Sequence, residues 1–109
     1  MARAIGRFLL GWSVALTGCL AAVAADAGDE VERGAALADQ WCVSCHATGT
    51  TGTVSDRAPS FPLIANDPRI DAAYLRAFLA DPHGPMEGFS LPGKEIDDLA
   101  AYIMSLREL

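Results

Sequence analysis

The chain has 109 residues, 8 basic and 14 acidic, for a formal net charge of −6. That length makes one domain, and that sign excludes a phosphate-binding surface for nucleic acid. Its three cysteines, Cys19, Cys42 and Cys45, exclude a disulfide-dense scaffold of the kind small exported domains use.

Residues 1–25 carry Arg3 and Arg7 near the start, then no charge from residue 8 to residue 25. They end in small residues, Ala22-Val23-Ala24 or Val23-Ala24-Ala25, just before Asp26. This is the pattern of an export signal. A retained membrane anchor is the competing reading, because the uncharged run just reaches spanning length. Gly11, Ser13, Thr17, Gly18 and many alanines dilute it. Residues 16–19, LTGC, also fit a bacterial lipobox with Cys19 as the lipidated residue, although LAAVAA after it continues the apolar run. Cleavage before Asp26 removes two arginines and leaves six basic against 14 acidic residues, a charge near −8 on 84 residues. Such a surface either attracts a basic patch on a protein partner, an attraction that salt weakens, or merely confers solubility.

The first expected helix runs from about residue 30 into the WCVSCH motif, with Asp29 as N-cap and Glu30 and Glu32 in the first turn. Val31, Gly34, Ala35, Ala38 and Trp41 or Cys42 form its stripe. Glycine in mid-helix costs about 1 kcal/mol against alanine, so Gly34 makes sense where a second helix crosses closely. Residues 48–69 hold three prolines and two glycines with no sustained period, which predicts a long loop. A short helix comes next over 71–80, with Tyr74, Leu75, Phe78 and Leu79 on one face and Asp81-Pro82 ending it. HGPMEGFSLPG is loop again. The last helix, from about 93 to 106, places Ile96, Leu99, Ala100, Ile103 and Leu106 at 3.6-residue spacing. The fold class expected is all-α, three main helices with long loops and few large apolar residues between them.

These elements bear on the group that Cys42 and Cys45 hold. A dithiol redox motif belongs beside a βαβ pattern, which is absent. Zinc in a structural site wants four ligands, and His46 directly after Cys45 does not fit the separate histidine pair. A single disulfide across two residues constrains the unfolded chain little. C-x-x-C-H is the signature of covalent haem attachment: two thiols add to the porphyrin vinyls, and His46 lies under the iron. A planar apolar cofactor also supplies core to a domain too small to bury more than about 60% of its chain surface. Met86, in the glycine-rich loop before the last helix, is the expected sixth ligand. A thioether there raises the potential relative to nitrogen ligands alone. His83 is the competing ligand, and Met104 is assigned to packing.

From Asp29 to Leu109 the chain resembles the small monohaem class I cytochromes c of bacteria. Gly34 stands eight residues before Cys42, where that family has a helical glycine. Pro59 in APSF resembles the proline whose carbonyl accepts a hydrogen bond from the proximal histidine. YLRAFLADPHGPM resembles the middle helix leading to the methionine loop. In EIDDLAAYIMSL, Leu99 and Tyr102 match the pair that crosses the first helix at the glycine. Relatives commonly carry Met-Pro at the ligand, whereas Pro85 precedes Met86 here and Glu87 comes after it. Pro92-Gly93 stands where a Ser or Thr helix cap is expected.

The resemblance implies one covalently attached haem c, with Cys42 and Cys45 as thioethers and His46 and Met86 as axial ligands. It implies single-electron transfer between redox proteins in the periplasm, with no catalytic residues. Membrane attachment enters only through a lipidated Cys19 or a retained presequence. A subunit of an exported dehydrogenase or oxidase complex, or a ligand-binding or peroxide-reducing haem protein, are the alternatives.

Overall fold

The computed structural model describes residues 18–49 and 56–108, and of residues 18–25 the backbone alone. The export signal and lipobox therefore lie outside the described residues, apart from the helical backbone that begins at Gly18. The described residues form four α-helices and one 3₁₀ turn: α1 (Gly18–Trp41), α2 (Phe61–Asn66), α3 (Ala72–Ala80), the turn Gly84–Met86, and α4 (Gly93–Ser105). The all-α class holds, with one helix more than the three expected.

Two local expectations need correction. Asp29 caps nothing, because α1 passes straight through it. Ala21, Ala22, Ala24, Ala25 and Ala27 precede it, and alanine favours helix more than one Asp favours a start. The segment expected as loop over 48–69 contains α2. Ser60 Oγ accepts from the Leu63 N–H at 3.3 Å, and Pro62 sits in the first turn, where its missing N–H costs nothing. Six residues are too short to show a period, so the cap was the sole sequence signal.

Arg107, just beyond α4, ties α2 down. Its Nε donates to the Ala65 carbonyl at 2.7 Å and its Nη2 to those of Asp67 and Ile70 at 3.2 and 2.5 Å. These carbonyls belong to the last turn of α2 and the loop after it. Beside them Arg69 holds the Asp67 carboxyl down at about 2, chiefly through side-chain hydrogen bonding. On α3, Asp71 is the N-cap and accepts from the Tyr74 N–H at 2.7 Å. Leu75 and Leu79 turn inward, while Tyr74 stays half exposed. At the start of α4, Pro92 offers no side-chain cap, and its carbonyl accepts the Ile96 N–H at 3.0 Å.

The frame is the crossing of α1 and α4. Gly34, Ala38 and Cys42 form the buried stripe of α1, and Trp41 is 52% exposed, so of the two candidates Cys42 completes the stripe. A Cβ at Gly34 would lie 2.0 Å from the Asp98 carbonyl oxygen and 2.6 Å from Tyr102 Cβ. Tyr102 is thus at the crossing as expected, but its partner there is the Asp98 backbone. Leu99 packs in the core with Ala38 of α1 and is the sole large side chain fully buried among the described residues. The Tyr102 hydroxyl donates to the Thr48 carbonyl, fastening the chain after the cysteine motif to α4.

Asp98 is the buried acid of this frame, 3% exposed. Arg33 Nε donates to its Oδ2 at 3.0 Å and Lys94 Nζ to its Oδ1 at 2.6 Å. The Arg33 hydrogen bond, opposed by burial and helped by Lys94, holds the carboxyl below its usual range. A carboxyl more acidic folded than unfolded stabilises the fold above the ordinary pKa of about 4, and that contribution drains away as pH falls toward the folded value. Asp98→Asn should therefore lower stability near neutral pH by about 2 kcal/mol and flatten the acid limb of a melting-temperature profile. An acid limb parallel to that of the unsubstituted protein would refute the assignment.

Candidate functional site

α1 does not stop cleanly but tightens into the cysteine motif. The Cys42 N–H donates to Ala38 O at 2.9 Å, and the N–H groups of Cys45 and His46 both donate to Cys42 O, at 3.2 and 2.9 Å. This turn presents Cys42, Cys45 and His46 to one cavity of about 250 Å³, bordered also by Phe61, Leu79, Leu99 and Ile103. A second cavity, of about 290 Å³, is bordered by Arg57, Pro59, Ile70, Tyr74 and His83. Both are bordered by His46, Ile64, Leu75, Phe78, Pro85 and Met86. They are two lobes of one apolar slot.

His46 is held at a set angle. Its Nδ1 lies 2.7 Å from the Pro59 carbonyl oxygen, which can only accept, so Nδ1 carries the proton and Nε2 keeps its lone pair. Pro59 is placed by the start of α2, two residues on: the Phe61 N–H donates to Ala47 O at 2.9 Å, stitching that helix to the residue after His46. The Phe61 ring packs 5.3 Å from the imidazole. The short helix not expected from the sequence therefore follows directly on the proline that orients His46.

Met86 closes the 3₁₀ turn between Gly84 and Gly88, whose φ angles of 68° and 87° suit glycine. The Glu87 N–H donates to Gly84 O and the Phe89 N–H to Met86 O, each at 3.0 Å. The side chain is half-buried and borders both lobes. His83 is exposed, stacked edge-on against Phe78 at 4.9 Å, and borders the second lobe only. Met104 packs against the core and borders neither lobe.

Cys42 and Cys45 are free thiols, the first buried and the second exposed. Before haem is attached, burial pushes the Cys42 thiol up to about 11. Among the described residues, no three of His, Cys, Asp and Glu gather as a metal site. The residues present do fit a flat apolar group that carries its own metal. Thiols line one side of the slot, and a lone-pair imidazole nitrogen and a thioether both border it. Arg57 and Asp98 went unremarked in the sequence. A cation just ahead of APSF, and an acid inside an apolar stripe, were their signals.

Residues 29–103 match the domain family described as cytochrome C oxidase, cbb3-type, subunit III. The chain is 45% identical over 87 residues to cytochrome c-552 of Bradyrhizobium diazoefficiens, an alignment covering 79% of this chain and 80% of that protein. No solved structure matches the chain. A helical frame around an apolar slot beside a C-x-x-C-H turn agrees with both matches, and the chain belongs to the cytochrome c family as a small monohaem class I member, an electron-transfer protein with covalently bound haem c.

Proposed function

We propose that the protein is an exported single-electron carrier working between redox proteins in the periplasm. Cys42 and Cys45 would hold the haem as thioethers, His46 Nε2 and the Met86 sulfur would bind its iron, and Pro59 orients His46. When bound, the haem supplies reversible one-electron oxidation and reduction at iron. The slot's side chains exclude water from it, and the Pro59 hydrogen bond keeps the imidazole from rotating between oxidation states. Thioether ligation sets the potential above that of two nitrogen ligands. The observation that carries this reading is that an oriented imidazole and a thioether border the same apolar slot.

An optical spectrum of the oxidised holoprotein tests it. A weak sulfur-to-iron charge-transfer band in the red is expected, and carbon monoxide should not bind rapidly to the reduced form at neutral pH. Met86→Ala should abolish the band and admit carbon monoxide, while His83→Ala should leave the band in place. A band that survives Met86→Ala reassigns the ligand. Rapid carbon monoxide binding by the unsubstituted protein would favour a ligand-binding role.

The description of the matching family, an oxidase subunit, favours a second reading, a permanently bound subunit. Gel filtration of the native protein separates the two, since co-elution with a larger oxidoreductase replaces the free carrier. Export implies cleavage before Asp26, or lipidation at Cys19, and mass spectrometry of the mature N-terminus distinguishes them. No helix among the described residues is long and apolar enough to cross a membrane.

A further inference from the structure

Trp41 borders the haem slot on one side and a surface groove of about 410 Å³ on the other. Gln40, Phe89, Leu91, Pro92 and Glu95 complete the groove. Filling the slot leaves the groove side of the indole open. Val43, two residues on, is also half exposed.

Charge says what belongs there. Glu95 lines the groove, and the exposed Asp39 and Glu87 stand next to Gln40 and Gly88 in the chain. Each basic side chain among the described residues is already engaged. Arg33 and Lys94 pair with Asp98, Arg69 with Asp67 and Arg76 with Asp97. Arg107 bonds the carbonyls around α2, and Arg57 has a partner of its own. Lys94, next to Glu95 in sequence, is drawn to Asp98 at 2.6 Å. An aromatic face and a carboxylate remain together in one groove, the pair of groups that receives a lysine or arginine side chain.

We infer that this groove docks a cationic side chain of the redox partner, with Trp41 as the contact between that partner and the haem. The inference rests on the carrier role proposed above and assigns its docking point. A single inserted cation in a small contact suits a transient encounter, in which charge sets the rate more than the strength.

The test titrates pentalysine into the ¹⁵N-labelled holoprotein by NMR. The largest shifts are expected at the Trp41 indole N–H and the Glu95 amide, fading as salt rises to about 0.15 M. Trp41→Ala and Glu95→Gln should each weaken binding by about five-fold. Leu63→Ala, an exposed apolar residue outside the groove, should not. If Trp41→Ala fails to hold haem, Trp41→Phe and Glu95→Gln decide the question. Shifts centred elsewhere, no binding, or unchanged affinity in these variants would overturn the docking point. With one-electron exchange with ascorbate and ferricyanide intact, the carrier role survives that result. Failure of that exchange removes the carrier role and the docking point together.

Discussion

Gly34→Val is expected to destabilise the fold severely. The first atom of any side chain at this position would lie 2.0 Å from the Asp98 carbonyl oxygen, 2.7 Å from its carbon and 2.6 Å from Tyr102 Cβ. Two of those atoms are backbone in the middle of α4, so no rotamer change relieves the overlap. The helices must separate. Separation would pull Arg33 from Asp98 and the Tyr102 hydroxyl from Thr48, and would open the packing of Ala38 against Leu99, Ala100 and Ile103. Overpacking costs about 1–3 kcal/mol even where side chains can yield, and small domains have only about 5–15 kcal/mol in all. Loss of more than about 3 kcal/mol is therefore expected, a fall in melting temperature of at least about 12 °C for a domain of this size. Gly34→Ala should show most of the effect, because the clash begins at Cβ. Gly28→Ala, also in α1 but with nothing within 4 Å, should be neutral or stabilising by up to about 1 kcal/mol. Circular-dichroism melts of the three holoproteins make the comparison, and unchanged stability in Gly34→Val would dismiss the close approach.

Cys42→Ala and Cys45→Ala should each lose one thioether and most of the holoprotein. The turn after α1 hangs both thiols on one side of the slot through hydrogen bonds to Ala38 O and Cys42 O. Removing either thiol leaves the haem held by a single covalent bond. The two variants should differ in the polypeptide itself. Cys42 is 7% exposed and belongs to the core, whereas Cys45 is exposed. Cys42→Ala should therefore destabilise the chain by about 1 kcal/mol, and Cys45→Ala should leave it nearly unaffected. Pyridine haemochrome per mole of protein, with pigment retention in acidified acetone, reads the first effect, and urea titration of the apoprotein reads the second. Normal, fully retained haem in either variant would rule out covalent attachment at that cysteine.

The close partner of Gly34 shows how far one helix can be read from its own residues. A glycine within a helical stripe announces that something approaches closely, and the resemblance to the class I cytochromes c pointed to Tyr102. That Asp98 offers the nearest atom depends on the crossing angle, which no local pattern encodes. Leu99 sits in the core that α4 shares with α1, α2 and α3.

The amino-acid order alone determined that C-x-x-C-H stands at the end of a helix and that the ordered elements are helices. These are local matters of spacing and period, settled within a turn or two. Tertiary structure alone decided which acid is buried, that Trp41 stays half exposed, and that Arg107 fastens the chain after α2. Each depends on groups 37 to 65 residues apart in the chain or on solvent access, and such groups meet only once the helices have packed.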